Sequence, residues 1–252
     1  MPRRFQDIRV RLFQIREEEH VLQEERESFL DAAGLAPEQL LPTNVLRDPL
    51  TVSLLEGIDA VFIGGAGAYS VADDHPWMPA LIELLQHIYR HNIPLFGSCW
   101  GHQLIARAYG GRVIHDPEHT EVGCFDVTLT PEGKCDPLFC HLPERFPTLM
   151  GHQDRVAELP PQAIELAYSD TLPYQVIRMQ GKPIYGTQFH SELNAACERE
   201  RILTYRQHYP VLHDEKRFRE IYNAIEDTPH VRDLLRRFLN IYVLHEQPAD
   251  CL

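Results

Sequence analysis

Between residues 8 and 15 apolar and charged side chains alternate, the period-two pattern of a strand with one buried face, before the chain runs into Arg16-Glu17-Glu18-Glu19. Residues 17–33 read as a helix, acidic at its start and closed by Gly34, as the helix dipole and C-cap rules favour. Residues 39–46 fit a short strand. The apolar run Ala60-Val61-Phe62-Ile63 within 58–63 reads as a buried strand ending at Gly64-Gly65-Ala66-Gly67. Residues 77–91 carry Leu81, Ile82, Leu84, Leu85 and Ile88 at helical spacing, followed by a strand at 93–96 and a helix at 101–109 that stops at Gly110-Gly111. This order predicts an α/β fold, a doubly wound, mostly parallel sheet flanked by helices. After Gly111 the texture changes. Residues 122–130, 163–168, 174–179 and 184–188 read as strands between Pro- and Gly-bearing turns, an additional small β region. Residues 198–244 return to helix, most clearly at 230–244 around Leu234-Leu235-Arg236-Arg237-Phe238-Leu239. Without an internal repeat or a low-complexity linker, residues 1–252 are expected to form a single domain, with 197–252 as its C-terminal helical part.

Composition narrows the class without naming a function. Hydrophobic residues make up 44% and charged residues 24% of the 252, ordinary for a globular chain. A formal charge of −13 argues against a nucleic-acid partner, which needs a basic footprint. No apolar run reaches the length of a membrane span, and residues 1–20 lack the apolar core of a signal peptide. Six cysteines spread over this length do not suggest a disulfide framework, so a cytoplasmic protein is expected.

The candidate chemistry centres on Pro94-Leu95-Phe96-Gly97-Ser98-Cys99-Trp100-Gly101-His102-Gln103. It sets one cysteine between glycines where an apolar strand turns into a helix. That is the arrangement of a nucleophile elbow, with sulfur in place of the usual hydroxyl. Flanking glycines relieve the crowding of a strained turn, and the new helix offers unpaired N–H groups to a thiolate and a developing oxyanion. A thiol nucleophile needs a base, and the base needs an orienting partner. Tyr185-Gly186-Thr187-Gln188-Phe189-His190-Ser191-Glu192 supplies both, because alternation along an extended chain sets His190 and Glu192 on one face. Glu192 is then expected to hold the imidazole in its working tautomer and, with it, to lower the thiol pKa.

Together these residues resemble the class I, or triad, glutamine amidotransferases. The resemblance spans residues 58–192 and rests on four separated motifs in the family's order. They are Phe62-Ile63-Gly64-Gly65, Gly97-Ser98-Cys99-Trp100-Gly101-His102-Gln103, Met150-Gly151-His152-Gln153-Asp154-Arg155-Val156 and Gly186-Thr187-Gln188-Phe189-His190-Ser191-Glu192. Within the family the chain is most similar to stand-alone relatives of the GMP synthase glutaminase domain. The resemblance implies a flavodoxin-like fold, with Cys99 as nucleophile, His190 as base and Glu192 as its partner. It also implies an oxyanion hole from the N–H groups of Gly65 and Trp100, and contact between Gln103 and a glutamine substrate. Read without the resemblance, Gln103 caps the first turn of its helix. His152 and Asp154 are expected to shape the substrate loop, or simply to stabilise a turn.

Two departures from the family pattern stand out. Ser191 replaces the proline usual between the catalytic His and Glu, which loosens the turn. Gln153 stands where a glycine is usual and adds bulk at the substrate's amino-acid end, so it bears on which γ-glutamyl compound fits. Gly64-Gly65-Ala66-Gly67 lacks the Gly-Lys-Ser/Thr of a P-loop, and Cys135, Cys140 and His141 lack a second ligand pair, so neither a phosphate cradle nor a metal site is expected. Cys124, Cys197 and Cys251 carry no partner motif. The expected activity is cofactor-free hydrolysis of a γ-glutamyl amide, L-glutamine by default, through a γ-glutamyl thioester. One expectation is that the ammonia passes to a separate synthetase subunit; the alternative is a self-sufficient γ-glutamyl peptidase or hydrolase acting on γ-glutamyl amines, peptides or conjugates. A non-catalytic regulatory protein is the third reading.

Overall fold

The computed structural model describes residues 3–247. In chain order its principal elements are β1 (Val10–Ile15), α1 (Glu19–Ala33), β2 (Leu40–Asn44), β3 (Ala60–Ala66), α2 (Met78–His91), β4 (Leu95–Ser98), α3 (Trp100–Ala108), β5 (Arg112–His115), β6 (Glu121–Leu129), α4 (Pro131–Lys134), β7 (Arg145–His152), β8 (Asp154–Glu158), β9 (Ala163–Ser169), β10 (Val176–Met179), β11 (Ile184–Thr187), α5 (Ala195–Tyr205), α6 (Glu215–Ala224) and α7 (Leu234–Tyr242). Gly34 ends α1 in the left-handed region at φ 63°, as its place in the sequence suggests. Asn92 closes α2 in the same way at φ 53°.

Nine strands form one sheet in the order β2-β1-β3-β4-β11-β10-β9-β6-β7. From β2 to β11 every pairing is parallel, and from β11 to β7 every pairing is antiparallel. The later β region therefore mostly continues the main sheet. Only β5 and β8 stand apart, as a two-stranded ribbon. Alternation along the parallel strands separates two apolar layers: Phe62 and Phe96 pack towards Phe29 of α1 and Phe238 of α7, while Val61, Ile63 and Leu95 pack towards Leu81, Leu84 and Leu104 of α2 and α3. The C-terminal helices divide their work. Helix α7 covers the parallel sheet beside α1, whereas α5 and α6 bury Ile202 and Phe218 against Val122 and Leu149 of the antiparallel half.

Strands β5, β7 and β8 are not anticipated by the hydrophobic pattern. Pro147 interrupts the β7 segment, and it is tolerated because β7 is an outermost strand, where one side of the backbone needs no ladder partner. The parallel register sets Ser98 opposite Thr187, so the carboxyl ends of β4 and β11 lie side by side. In open α/β sheets that edge is where ligands bind.

Candidate active site

Cys99 joins β4 to α3 with φ 51° and ψ −100°, a backbone conformation that costs about 1–3 kcal/mol for a residue other than glycine. The surroundings enforce it. A Cβ at Gly97 would lie 2.5 Å from the backbone of Gly101, and a Cβ at Gly101 would lie 2.5 Å from the Ile63 carbonyl oxygen. Both glycines are thus required by the approach of β3, β4 and α3. The Cys99 N–H donates to the Thr187 carbonyl at 2.7 Å, fixing the elbow to β11. The side chain is buried, 6% exposed.

Beyond β11 the chain reaches His190, whose N–H donates to the Leu149 carbonyl at 2.9 Å. His190 Nδ1 and Glu192 Oε1 are 2.6 Å apart, and Ser98 Oγ donates to Glu192 Oε2 at 2.8 Å. Both carboxylate oxygens are therefore used, and Glu192 is fully buried. Burial pulls the His190 imidazole towards neutrality, but the Glu192 charge, then Cys99, outweigh it and raise its pKa to about 10. Burial likewise opposes the Glu192 charge, and His190 outweighs it, bringing the carboxyl down to about 2. Ser98, to which the motif assigns no role, is the third member of this hydrogen-bonded group.

Around the sulfur, Gly65 packs so tightly that a Cβ there would lie 3.1 Å from His190 Cε1. Trp100 opens α3, so its N–H belongs to the first turn, where no intrahelical acceptor exists. Gln103 does not cap the helix. Its Nε2 donates to the Asp154 carbonyl at 2.8 Å and to Gln188 Oε1 at 3.1 Å. Gln188 in turn directs Nε2 at Cys99 Sγ from 3.7 Å, a contact the motif alone does not announce.

The expected substrate loop at 151–154 is the corner between β7 and β8. His152 Nε2 lies 2.9 Å from Glu121 Oε2, and its Nδ1 lies 3.0 Å from the Asp154 carbonyl, so both ring nitrogens face inward. Glu121 is buried but held below the usual carboxylate range; burial opposes its charge, and His152 more than offsets this, aided by Ser169 and Thr171. Gln153 donates to the His208 carbonyl, and Asp154 accepts from Ser70 and lies 2.8 Å from His115 Nδ1. Cys99, Gln103, Gln153 and Asp154 border one groove of about 270 Å³. Among the described residues no group of three His, Cys, Asp or Glu side chains could hold a metal ion, and no helix is long and apolar enough to cross a membrane. Cys135 is exposed, Cys140 is disulfide-bonded, and His141 lies 3.5 Å from Asp233. Cys251 lies outside the described residues.

The family model for class-I glutamine amidotransferases matches residues 40–206. The chain is 31% identical over 155 residues to a glutamine-hydrolyzing GMP synthase subunit of Pyrococcus furiosus, covering 62% of this chain and 76% of that one. It is 37% identical over 111 residues to the protein of the same name from Pyrococcus abyssi, covering 44% and 57%. The match to the glutamine-hydrolyzing GMP synthase of Thermosipho africanus, 34% identical, covers 57% of this chain but only 26% of that protein. Among solved structures, a glutamine amidotransferase from Thermotoga maritima superposes with a TM-score of 0.67 at 22% identity, over 93% of this chain and 98% of the other. One from Methylobacillus flagellatus gives 0.68 at 20% identity, over 94% and 93%. At these identities the likeness is one of fold: a flavodoxin-like, mixed sheet flanked by helices.

Proposed function

The chain belongs to the class-I glutamine amidotransferase family, and from that premise we propose that Cys99, His190 and Glu192 hydrolyse the side-chain amide of L-glutamine. The observation that carries the reading is the Ser98–Glu192–His190 hydrogen-bonded group set against a cysteine in a strained elbow. The γ-glutamyl end of the substrate lies in the groove bordered by Gln103, Gln153 and Asp154. Cys99 sulfur attacks the amide carbon, and the tetrahedral oxyanion takes hydrogen bonds from the N–H groups of Trp100 and Gly65. His190, whose raised pKa favours the imidazolium, gives its proton to the amide nitrogen. The C–N bond breaks, ammonia leaves, and a γ-glutamyl thioester remains on Cys99. Water then attacks the thioester carbon and yields a proton to His190; the C–S bond breaks and glutamate is released. Glu192 keeps Nδ1 occupied throughout, so the other ring nitrogen serves both proton transfers.

We assign the ammonia to a synthetase subunit, on the strength of the relatives named as GMP synthase subunits, and treat residues 1–252 as one domain. The test is release of glutamate and ammonia from L-glutamine by the purified chain. Loss of both in Cys99→Ser supports the reading, and undiminished release by that variant refutes it. Adding a GMP synthetase subunit with its nucleotide substrates is expected to convert the released ammonia into product.

A further inference from the structure

One buried acid beside the sulfur has no part in the triad. Glu198 of α5 is 2% exposed, and its carboxyl accepts no hydrogen bond from any described residue. Leaving a buried polar group unpaired is costly, so such a group calls for an explanation in bound water or in catalysis. Glu198 lines a small cavity of about 30 Å³ together with Cys99, His190, Gly151 and Tyr209, room for about one or two water molecules. The cavity is partly open, so solvent can supply it. A Cβ at Gly151 would lie 3.8 Å from Glu198 Oε1 and 3.5 Å from the Tyr209 hydroxyl, and the Cys99 sulfur stands 3.9 Å from the Gly151 carbonyl oxygen. We propose that Glu198 orients the water that hydrolyses the γ-glutamyl thioester, holding one O–H while His190 takes the other proton. The inference rests on the reaction proposed above and adds a residue to its second half.

Once ammonia has left with the proton of His190, the imidazole is neutral and ready to act as a base. A water in the cavity then meets His190 and Glu198 together. Its oxygen bonds to the thioester carbon as one proton passes to the ring nitrogen that Glu192 does not occupy. The other O–H stays hydrogen-bonded to Glu198. The C–S bond breaks, its electron pair returns to Cys99 as thiolate, and the retained proton leaves with the product carboxyl. Glu198 exchanges no proton; it fixes the direction of attack. Its footing suits that task. The Asn194 side chain caps α5 by accepting from the Cys197 N–H at 2.9 Å, and the Asn194 carbonyl accepts from the Glu198 N–H at 3.0 Å, so Glu198 stands on a capped first turn. Burial pushes its pKa up to about 7, against the pull of His190 and Arg201 and with the push of Glu192 and Glu24. Above neutrality it is therefore ionised, and a charged acceptor makes the stronger hydrogen bond.

The test is Glu198→Gln, which keeps the shape and removes the charge, in rapid-quench kinetics with L-glutamine. The first turnover of ammonia is expected to keep its rate, while glutamate release from the thioester slows about 10–100-fold, the worth of one charged hydrogen bond. The γ-glutamyl adduct on Cys99 then accumulates at steady state. Hydroxylamine, a stronger nucleophile than water, competes for the same thioester, and the ratio of γ-glutamyl hydroxamate to glutamate should rise about tenfold or more over that of the native chain. Glu198→Asp keeps the charge but draws it back by one methylene, and moves the ratio in the same direction by less. A ratio unmoved in whichever variant folds, ammonia and glutamate slowed equally, or failure of both variants to fold would assign Glu198 to structure and overturn the proposal, with glutamine hydrolysis by the native chain intact. Neither adduct nor glutamate from the native chain would overturn the hydrolytic reading itself.

Discussion

The elbow at Cys99 and the corner at 151–154 border the same groove but are held by different physics. At the elbow, backbone meets backbone: Gly97 lies against Gly101, and Gly101 against the Ile63 carbonyl, with no room for a Cβ. At the corner, hydrogen bonds from distant segments do the holding: Glu121 on His152, Ser70 and His115 on Asp154, and the His208 carbonyl on Gln153. Steric constraint of the first kind tolerates almost no change and fixes the backbone at Cys99. A polar network of the second kind can be altered one bond at a time.

The largest effect is expected beside the elbow. Glu192→Gln keeps the shape but removes the negative charge facing His190 Nδ1, and kcat is expected to fall about 10³–10⁴-fold with KM little changed. Burial lowers the His190 pKa, and Glu192 is foremost among the groups that raise it to about 10. The native kcat/KM plateau should therefore extend past pH 9, and the alkaline limb should move down in the variant. The same pair has a stability signature with a definite sign. The raised His190 contributes fully below its unfolded value and loses that contribution as pH climbs towards about 10; the depressed Glu192 contributes fully above its unfolded value and loses it as pH falls towards about 2. A melting-temperature profile of native chain against Glu192→Gln measures both arms.

Next in size is the corner's anchor. Glu121→Gln strips the charge from a buried carboxylate whose oxygens meet His152, Ser169, Thr171 and Gln175, and about 1–3 kcal/mol of stability should be lost in denaturant titration. Gly101→Ala should cost about 1–3 kcal/mol by overpacking at the Ile63 carbonyl, and its kinetic loss should appear in kcat. If elbow and corner differ in this way, any surviving activity of Glu121→Gln shows its defect in KM instead. The smallest effect belongs to Gln153→Ala. That exposed amide bond to His208 is worth about 0.5–1.5 kcal/mol, and glutamine KM should shift only several-fold.

What the residues reveal before folding follows the same division. The elbow is legible because glycine punctuation and an apolar strand are local signals, and His190 with Glu192 is legible because two residues of extended chain set both on one side. Element ends differ by a residue or two: the strand expected at 93–96 is Leu95–Ser98, and the helix expected at 101–109 is Trp100–Ala108. The corner is illegible because its partners are remote. Nothing local links Glu121 to His152, which meet only when β6 and β7 pair at the far edge of the sheet. Pro147 hides β7 itself. Ser98 and Gln188 sit inside recognisable motifs, but their bonds to Glu192 and to the Cys99 sulfur depend on the parallel register of β4 and β11. The C-terminal segment reads as helix from its pattern; that α7 covers the parallel sheet while α5 walls the site is a matter of packing alone.

The central claim is that Cys99 carries the γ-glutamyl group. Its most direct measurement is rapid acid quench of the chain with L-glutamine, followed by peptide mass spectrometry. Covalent catalysis by Cys99 predicts a γ-glutamyl adduct on the peptide containing it, formed before steady-state glutamate release and absent in Cys99→Ser. Glutamate release at full rate from Cys99→Ser, or an adduct confined to another cysteine, would contradict it.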